Sequence, residues 1–137
     1  MKSTLFGLAA LLLAGAAAAE AAGSLTLTFD TGTTDGHVMV AVYNSQSAFD
    51  GEGAPVRAVR GKPGETLRVD GLAPGRYGIK AFHDVNGDGK LNMNPFGMPI
   101  EPYAFSNNAR GHMGPAKWAD AAFEVKAAGA SQRLVLK

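Results

Sequence analysis

Beyond residue 22 the chain is cut by glycine and proline into short stretches of alternating apolar and polar residues, and this leaves little choice of architecture. Sixteen of the 18 glycines fall there, since only Gly7 and Gly15 precede it. Leu25-Thr26-Leu27-Thr28-Phe29 has the period of two that buries one face of a strand. Val38 to Tyr43 is mostly apolar on both faces, as in a central strand. Further strands are expected at Pro55–Val59, Thr66–Val69, Arg76–His83, Ala122–Val125 and Gln132–Leu136, making seven. Tyr77, Ile79 and Ala81 alternate with Gly78, Lys80 and Phe82, so one set faces the core. No capped stripe of period 3.6 interrupts them, although brief helical turns fit Ser45–Phe49 and Pro115–Ala122, the latter with Pro115 at its first position. Strands spaced roughly 8 to 15 residues apart imply an all-β, seven-stranded antiparallel Greek-key β-sandwich with a long ordered loop.

The first 22 residues follow a different rule. Lys2 gives a positive start, Leu5 to Leu13 an apolar stretch, and Ala14 to Ala22 a small-residue run with several cleavage options, at Ala19, Ala21 and Ala22. The apolar run ends at Glu20, short of the length a membrane span needs. A cleaved Sec signal peptide over residues 1–22 and one domain over 23–137 are therefore expected, with export to the periplasm or outside the cell and no stable membrane anchor after cleavage. The 46% hydrophobic composition divides accordingly, because 16 of those residues lie in the signal segment. The chain contains no cysteine, which excludes a disulfide scaffold, a thiolate metal site and a lipid-modified N-terminus. A net charge of +1 provides no field to draw nucleic acid.

Asp70-Gly71-Leu72-Ala73-Pro74-Gly75-Arg76-Tyr77 reads as a turn between strands, with Pro74-Gly75 as the centre of a type II turn and Leu72 and Tyr77 closing the end of the core. This turn-and-tyrosine pattern resembles the transthyretin (prealbumin)-like and carboxypeptidase-regulatory-like sandwich domains, and the resemblance implies a fold without a function.

Asp84-Val85-Asn86-Gly87-Asp88-Gly89 fits D-x-N-x-D-G, the first half of a calcium loop. Alternate residues turn their oxygens toward one point, and a glycine at the sixth place permits the bend that aims the next carbonyl inward. As a Ca²⁺ loop its ligands would be Asp84, Asn86, Asp88, the backbone carbonyl of Lys90, and Asn92; the alternative is a plain loop in which the same Asp, Asn and Gly residues supply Asx-turns and left-handed positions. Position twelve, where a bidentate Glu belongs, is Pro95, and no helices flank the loop, so it is not an EF-hand. So few charges predict weak binding, with Kd about 10⁻⁴ to 10⁻³ M.

From Asn94 to Pro115 the chain is too apolar for disorder and too broken by proline and glycine for a helix or central strand. Phe96, Ile100, Tyr103, Phe105 and Trp118 can anchor it to the domain. A long loop of this kind is usually functional. Tyr103, Asn107, Asn108, Arg110 and Trp118 are its candidate ligand-binding residues, offering stacking faces, amides and one cation.

Val38 to Tyr43, Gly71 to Tyr77, Ala81-Phe82-His83-Asp84-Val85-Asn86-Gly87-Asp88-Gly89-Lys90-Leu91-Asn92, Gly97-Met98-Pro99, Tyr103 to Gly111 and Ala121-Ala122-Phe123 together resemble an uncharacterised family of small secreted bacterial proteins, domain of unknown function 2141. The resemblance covers nearly all of residues 23–137. It implies an exported β-sandwich and carries no activity with it.

Catalytic alternatives are sparse. His83, Asp84 and Ser106 can be assembled into a triad, but Ser106 lacks a nucleophile-elbow setting. Zinc would suit His83, His112 and a carboxylate, and Met39, Met93, Met98 and Met113 are too scattered for copper and are expected to pack. Two functions from different classes follow. One is a non-enzymatic, calcium-stabilised module of the cell envelope that binds an envelope protein, glycan or small ligand through the 84–118 loops. The alternative is a metal-dependent hydrolase using His83 and Asp84.

Overall fold

The structure, a computed structural model, describes residues 21–137. The expected signal segment, apart from Ala21 and Ala22, lies outside the described residues. Eight strands are present among the described residues: β1 (Gly23–Asp30), β2 (His37–Tyr43), β3 (Arg57–Gly61), β4 (Leu67–Leu72), β5 (Gly75–Asp84), β6 (Tyr103–Phe105), β7 (Phe123–Val125) and β8 (Ala130–Val135), with short helical turns at Ala48–Glu52, Ser106–Asn108 and α1 (Trp118–Ala121). They form a three-stranded sheet in the order β4-β1-β8 and a five-stranded sheet in the order β3-β2-β5-β6, with β7 also paired to β5.

The all-β expectation holds in its broad form, and two details differ from it. The strands number eight, because Tyr103–Phe105 pairs with Lys80–Phe82 inside the stretch read as loop. The pairing is not wholly antiparallel, because β8 runs parallel to β1 from Leu25↔Ala130 to Asp30↔Val135. Parallel neighbours need a long crossover. Here the whole of the other sheet lies between them in the chain.

Alternation does what the sequence predicts. Leu25, Leu27 and Phe29 of β1, Val38, Val40 and Val42 of β2, Tyr77, Ile79 and Ala81 of β5, and Leu134 of β8 are buried in one cluster shared by both sheets. The other face of β5 meets a second cluster of Phe49, Phe105, Ala116 and Ala121, with Trp118 and Tyr43 against it. Gly78 is what lets this layer approach: its missing side chain leaves room for the Trp118 and Phe49 rings, and a β-carbon there would lie 2.8 Å and 3.0 Å from them. Lys80, next on the same face, sits over the Tyr43 and Phe49 rings at 5.3 and 4.7 Å from their centroids. Burial there lowers the pKa of its ammonium, opposed by the charge of Asp50.

The β4–β5 connection departs from a type II turn centred on Pro74-Gly75. Gly75 has φ 158°, far from the +80° of that turn, and opens β5 directly. The left-handed residue is Gly71, at φ 74°. It lies where the pairing with β1 slips, between Gly23↔Leu72 and Leu25↔Val69, so the bend is made by a bulge three residues before Pro74. The Tyr77 hydroxyl donates to the Ala73 carbonyl and closes the corner. The helical turn likewise starts later than expected, with Lys117 rather than a residue before Pro115 at its N-cap.

Candidate functional site

The C-terminal end of β5 delivers two consecutive buried side chains to one edge of the molecule. His83, in line with Ile79 and Ala81, is 1% exposed, and its Nε2 donates to the Asp35 carbonyl. It braces the β1–β2 loop. Close by, Gly36 comes so near the last residue of β5 that a β-carbon would lie 2.0 Å from the Asp84 carbonyl oxygen.

Asp84 is 3% exposed and begins a tightly hydrogen-bonded loop. Its Oδ2 accepts from the Gly89 amide at 2.8 Å. Its Oδ1 is buried with no hydrogen-bond partner. Asn86 Oδ1 accepts from the Asp88 amide, and Asp88 Oδ1 from the Lys90 amide at 2.9 Å, while Asp88 Oδ2 accepts from the Asn92 side chain at 2.9 Å. The Lys90 backbone amide, then the Asn92 side chain, hold the Asp88 carboxyl below its usual pKa of 3.8. Gly87 and Gly89 supply the left-handed φ values, 72° and 76°, that let the backbone fold over these carboxylates.

A third carboxylate arrives from farther along the chain. Asn92 to Ile100 forms a small hairpin, closed by Ile100 N–H to Asn92 O at 2.9 Å and Asn94 N–H to Met98 O at 2.8 Å, with a bridge between Met93 and Pro99. Its closure returns Glu101, 8% exposed, to the base of the loop. There Glu101 Oε2 accepts from the Val85 amide and Oε1 from the Asn92 amide, both at 3.0 Å. One carboxylate oxygen from each of Asp84, Asp88 and Glu101 lies within 4.8 Å of the others. Among the described residues the ion pairs are Arg68–Asp70 and Arg133–Asp30, so neither engages this trio.

Of the expected metal ligands, Asp84 and Asp88 are thus brought together. Asn86 and Asn92 lie beside them, joined by a 3.2 Å bond between their side chains. Glu101 falls outside the fixed spacing of the loop motif. The available signal was that it is the one acidic residue between Asp88 and Asp120. His83 and His112 do not join a third ligand: among the described residues the Asp84–Asp88–Glu101 group is the cluster that meets a metal-binding geometry.

The hairpin tip overturns the expectation that its apolar side chains anchor the loop. Phe96, Met98 and Ile100 are 89%, 63% and 64% exposed, and Met93 and Met113 are exposed rather than packed. Asn94 Oδ1 accepts from the Phe96 and Met98 amides at 2.9 and 3.0 Å, which fixes the tip from its polar side and turns Phe96 outward. Phe105 and Trp118 do anchor, against Phe49.

The candidate ligand-binding residues divide. Tyr103, Asn108 and Arg110 line a shallow cleft of about 320 Å³ with Val135 and Lys137. Asn107 and Trp118 lie elsewhere, and both are engaged in structure. Asn107 donates to the Asp120 and Ala122 carbonyls and exchanges bonds with Gln132. The Asn108 amide bonds the Arg133 carbonyl and the Val135 amide. Ser106, with no exposed surface, accepts from the Ile79 amide at 2.8 Å and donates to the Ala121 carbonyl at 2.6 Å. Its hydroxyl is a structural pin with no path to a substrate. Among the described residues no helix is long and apolar enough to cross a membrane.

A family model described as "Uncharacterized protein conserved in bacteria" (DUF2141) matches residues 30–133. No curated protein and no solved structure matches the chain significantly.

Proposed function

The chain belongs to this uncharacterized bacterial family, DUF2141, and from that premise we propose that it is an exported, non-enzymatic β-sandwich module of the cell envelope that binds a ligand or protein through its 84–118 loops. The observation that carries the reading is the ordered hairpin that holds Phe96, Met98 and Ile100 out to solvent. Exposed large apolar side chains grouped on one loop mark contact sites more often than scattered ones do. A scaffold of paired strands fixes the hairpin's ends, so the tip is presented rather than collapsed. The cleft beside Tyr103 and Arg110 offers a stacking ring and a guanidinium for a polar partner. The alternative, a metal-dependent hydrolase using His83 and Asp84, is less favoured because the His83 imidazole is sealed and bonded to the Asp35 carbonyl.

Capture from the native envelope tests the reading, with Phe96→Ser and Arg110→Ala compared against wild type. Because Phe96 touches little, its replacement is expected to change stability by under about 0.5 kcal/mol, so loss of capture would report contact and not unfolding. Capture unchanged in both variants would overturn the proposal. Mass analysis of the exported protein is expected to show an N-terminus after Ala19, Ala21 or Ala22; retention of Met1 to Ala19 would remove the Sec route.

A further inference from the structure

We propose that Asp84, Asp88 and Glu101 form a Ca²⁺ site in which Glu101, carried in by the hairpin, replaces the acidic ligand missing at Pro95. Three carboxylates within 4.8 Å repel one another when ionised, and two of them are buried. Amide donors satisfy part of this charge: Gly89 for Asp84, Lys90 for Asp88, Val85 and Asn92 for Glu101. They do not satisfy Asp84 Oδ1, which is buried and unpartnered. A buried carboxylate oxygen without a donor costs free energy unless a cation faces it.

The donor set selects the ion. Every side-chain ligand in the trio is a carboxylate oxygen, and no thiol or imidazole joins it. Hard cations take such ligands, and flexible loops with six to eight oxygens suit calcium better than the strict octahedron of magnesium. Three carboxylates also exceed the two readable from the loop motif, so affinity moves toward the tighter part of the range for extracellular modules.

The site also ties two ends together. Asp84 ends β5, and Glu101 closes the hairpin whose tip is Phe96. Resting on the proposed role of that tip, a bound ion would fix the hairpin root against the sheet and so set how the apolar residues are presented.

The test is thermal unfolding and calorimetric titration of the purified full chain with CaCl₂, beginning from EDTA-treated protein. Melting is expected to rise by about 3–8 °C at ten times Kd. Glu101→Gln should weaken calcium binding at least tenfold, whereas Glu65→Gln, in the β3–β4 turn, should bind as wild type does. If Glu101→Gln fails to melt cooperatively in EDTA, the exposed Asp88→Asn serves in its place, with the same expected loss. No shift with several millimolar CaCl₂, an equal shift with MgCl₂, or undiminished binding by the variant would each overturn the site. Calcium binding is read without any partner, so its failure is distinguishable from a failure of envelope capture by the Phe96 tip.

Discussion

Trp118 lies directly over Gly78, so close that a β-carbon at residue 78 would stand 2.8 Å from the indole Cζ3. Phe49 closes on the same point from the side, with its ring centroid 5.6 Å from that of Trp118. The aromatic layer therefore depends on one residue having no side chain. Gly78→Ala is expected to push both rings off β5 and destabilise the fold by about 1–3 kcal/mol, the usual range for overpacking. Urea unfolding followed by the fluorescence of Trp118 measures it; a variant as stable as wild type would contradict the packing described.

Ser106 joins the same layer to β5 through its hydroxyl, which is bonded on both its donor and acceptor sides. Ser106→Ala leaves the Ile79 N–H buried without that partner. A loss of about 1–3 kcal/mol is expected, the cost of an unmade buried hydrogen bond. The same urea experiment checks this, and an effect below about 0.5 kcal/mol would show that the hydroxyl is dispensable.

One residue before Gly78 on β5, Tyr77 is buried and bonded to Ala73. Burial raises its pKa above the ordinary 10.0, opposed by the positive charge of Arg57. The neutral phenol is thus favoured by folding. Its contribution is complete below the unfolded value of 10.0 and is lost as pH rises through the higher folded value. Tyr77→Phe should cost about 1 kcal/mol at neutral pH and flatten the decline above pH 10. Denaturant midpoints from pH 8 to about 11 compare the two proteins; parallel curves would refute the assignment.

How much of this was legible in the chain follows from the range of each interaction. Leu25-Thr26-Leu27 and Tyr77 to Ala81 announce their buried faces through alternation alone, because a strand's inward side is a local property. Tyr103-Ala104-Phe105 does not, being three residues between Pro102 and a helical turn, and it is a strand only because Lys80 to Phe82 lies beside it. The same holds at the carboxylate cluster. Asp84 and Asp88 are spaced within one loop, whereas Glu101 depends on a hairpin closing between Asn92 and Ile100. Asn107 and Asn108 show the converse: amides that suit a ligand suit backbone repair equally well, and residue type alone does not separate the uses.

Asn107 adopts φ 58°, in the left-handed region. Its replacement therefore removes amide bonds and, for most residues, adds strain. Asn107→Gly should retain about 1 kcal/mol more stability than Asn107→Ala, with both below wild type. Thermal unfolding of the three proteins ranks them, and equal losses in the two variants would mean that the backbone relaxes at this position.

The parallel pairing of β1 with β8 has a consequence in time. Leu25 to Asp30 is among the first of the described residues to leave a ribosome or a translocation pore, and its partner, Ala130 to Val135, is among the last. Until then β1 has only β4 beside it, and the core lacks Leu134 and Leu136. The sheet acts as a clasp, so the described residues stay unlocked until Ala130 to Val135 has emerged to close it.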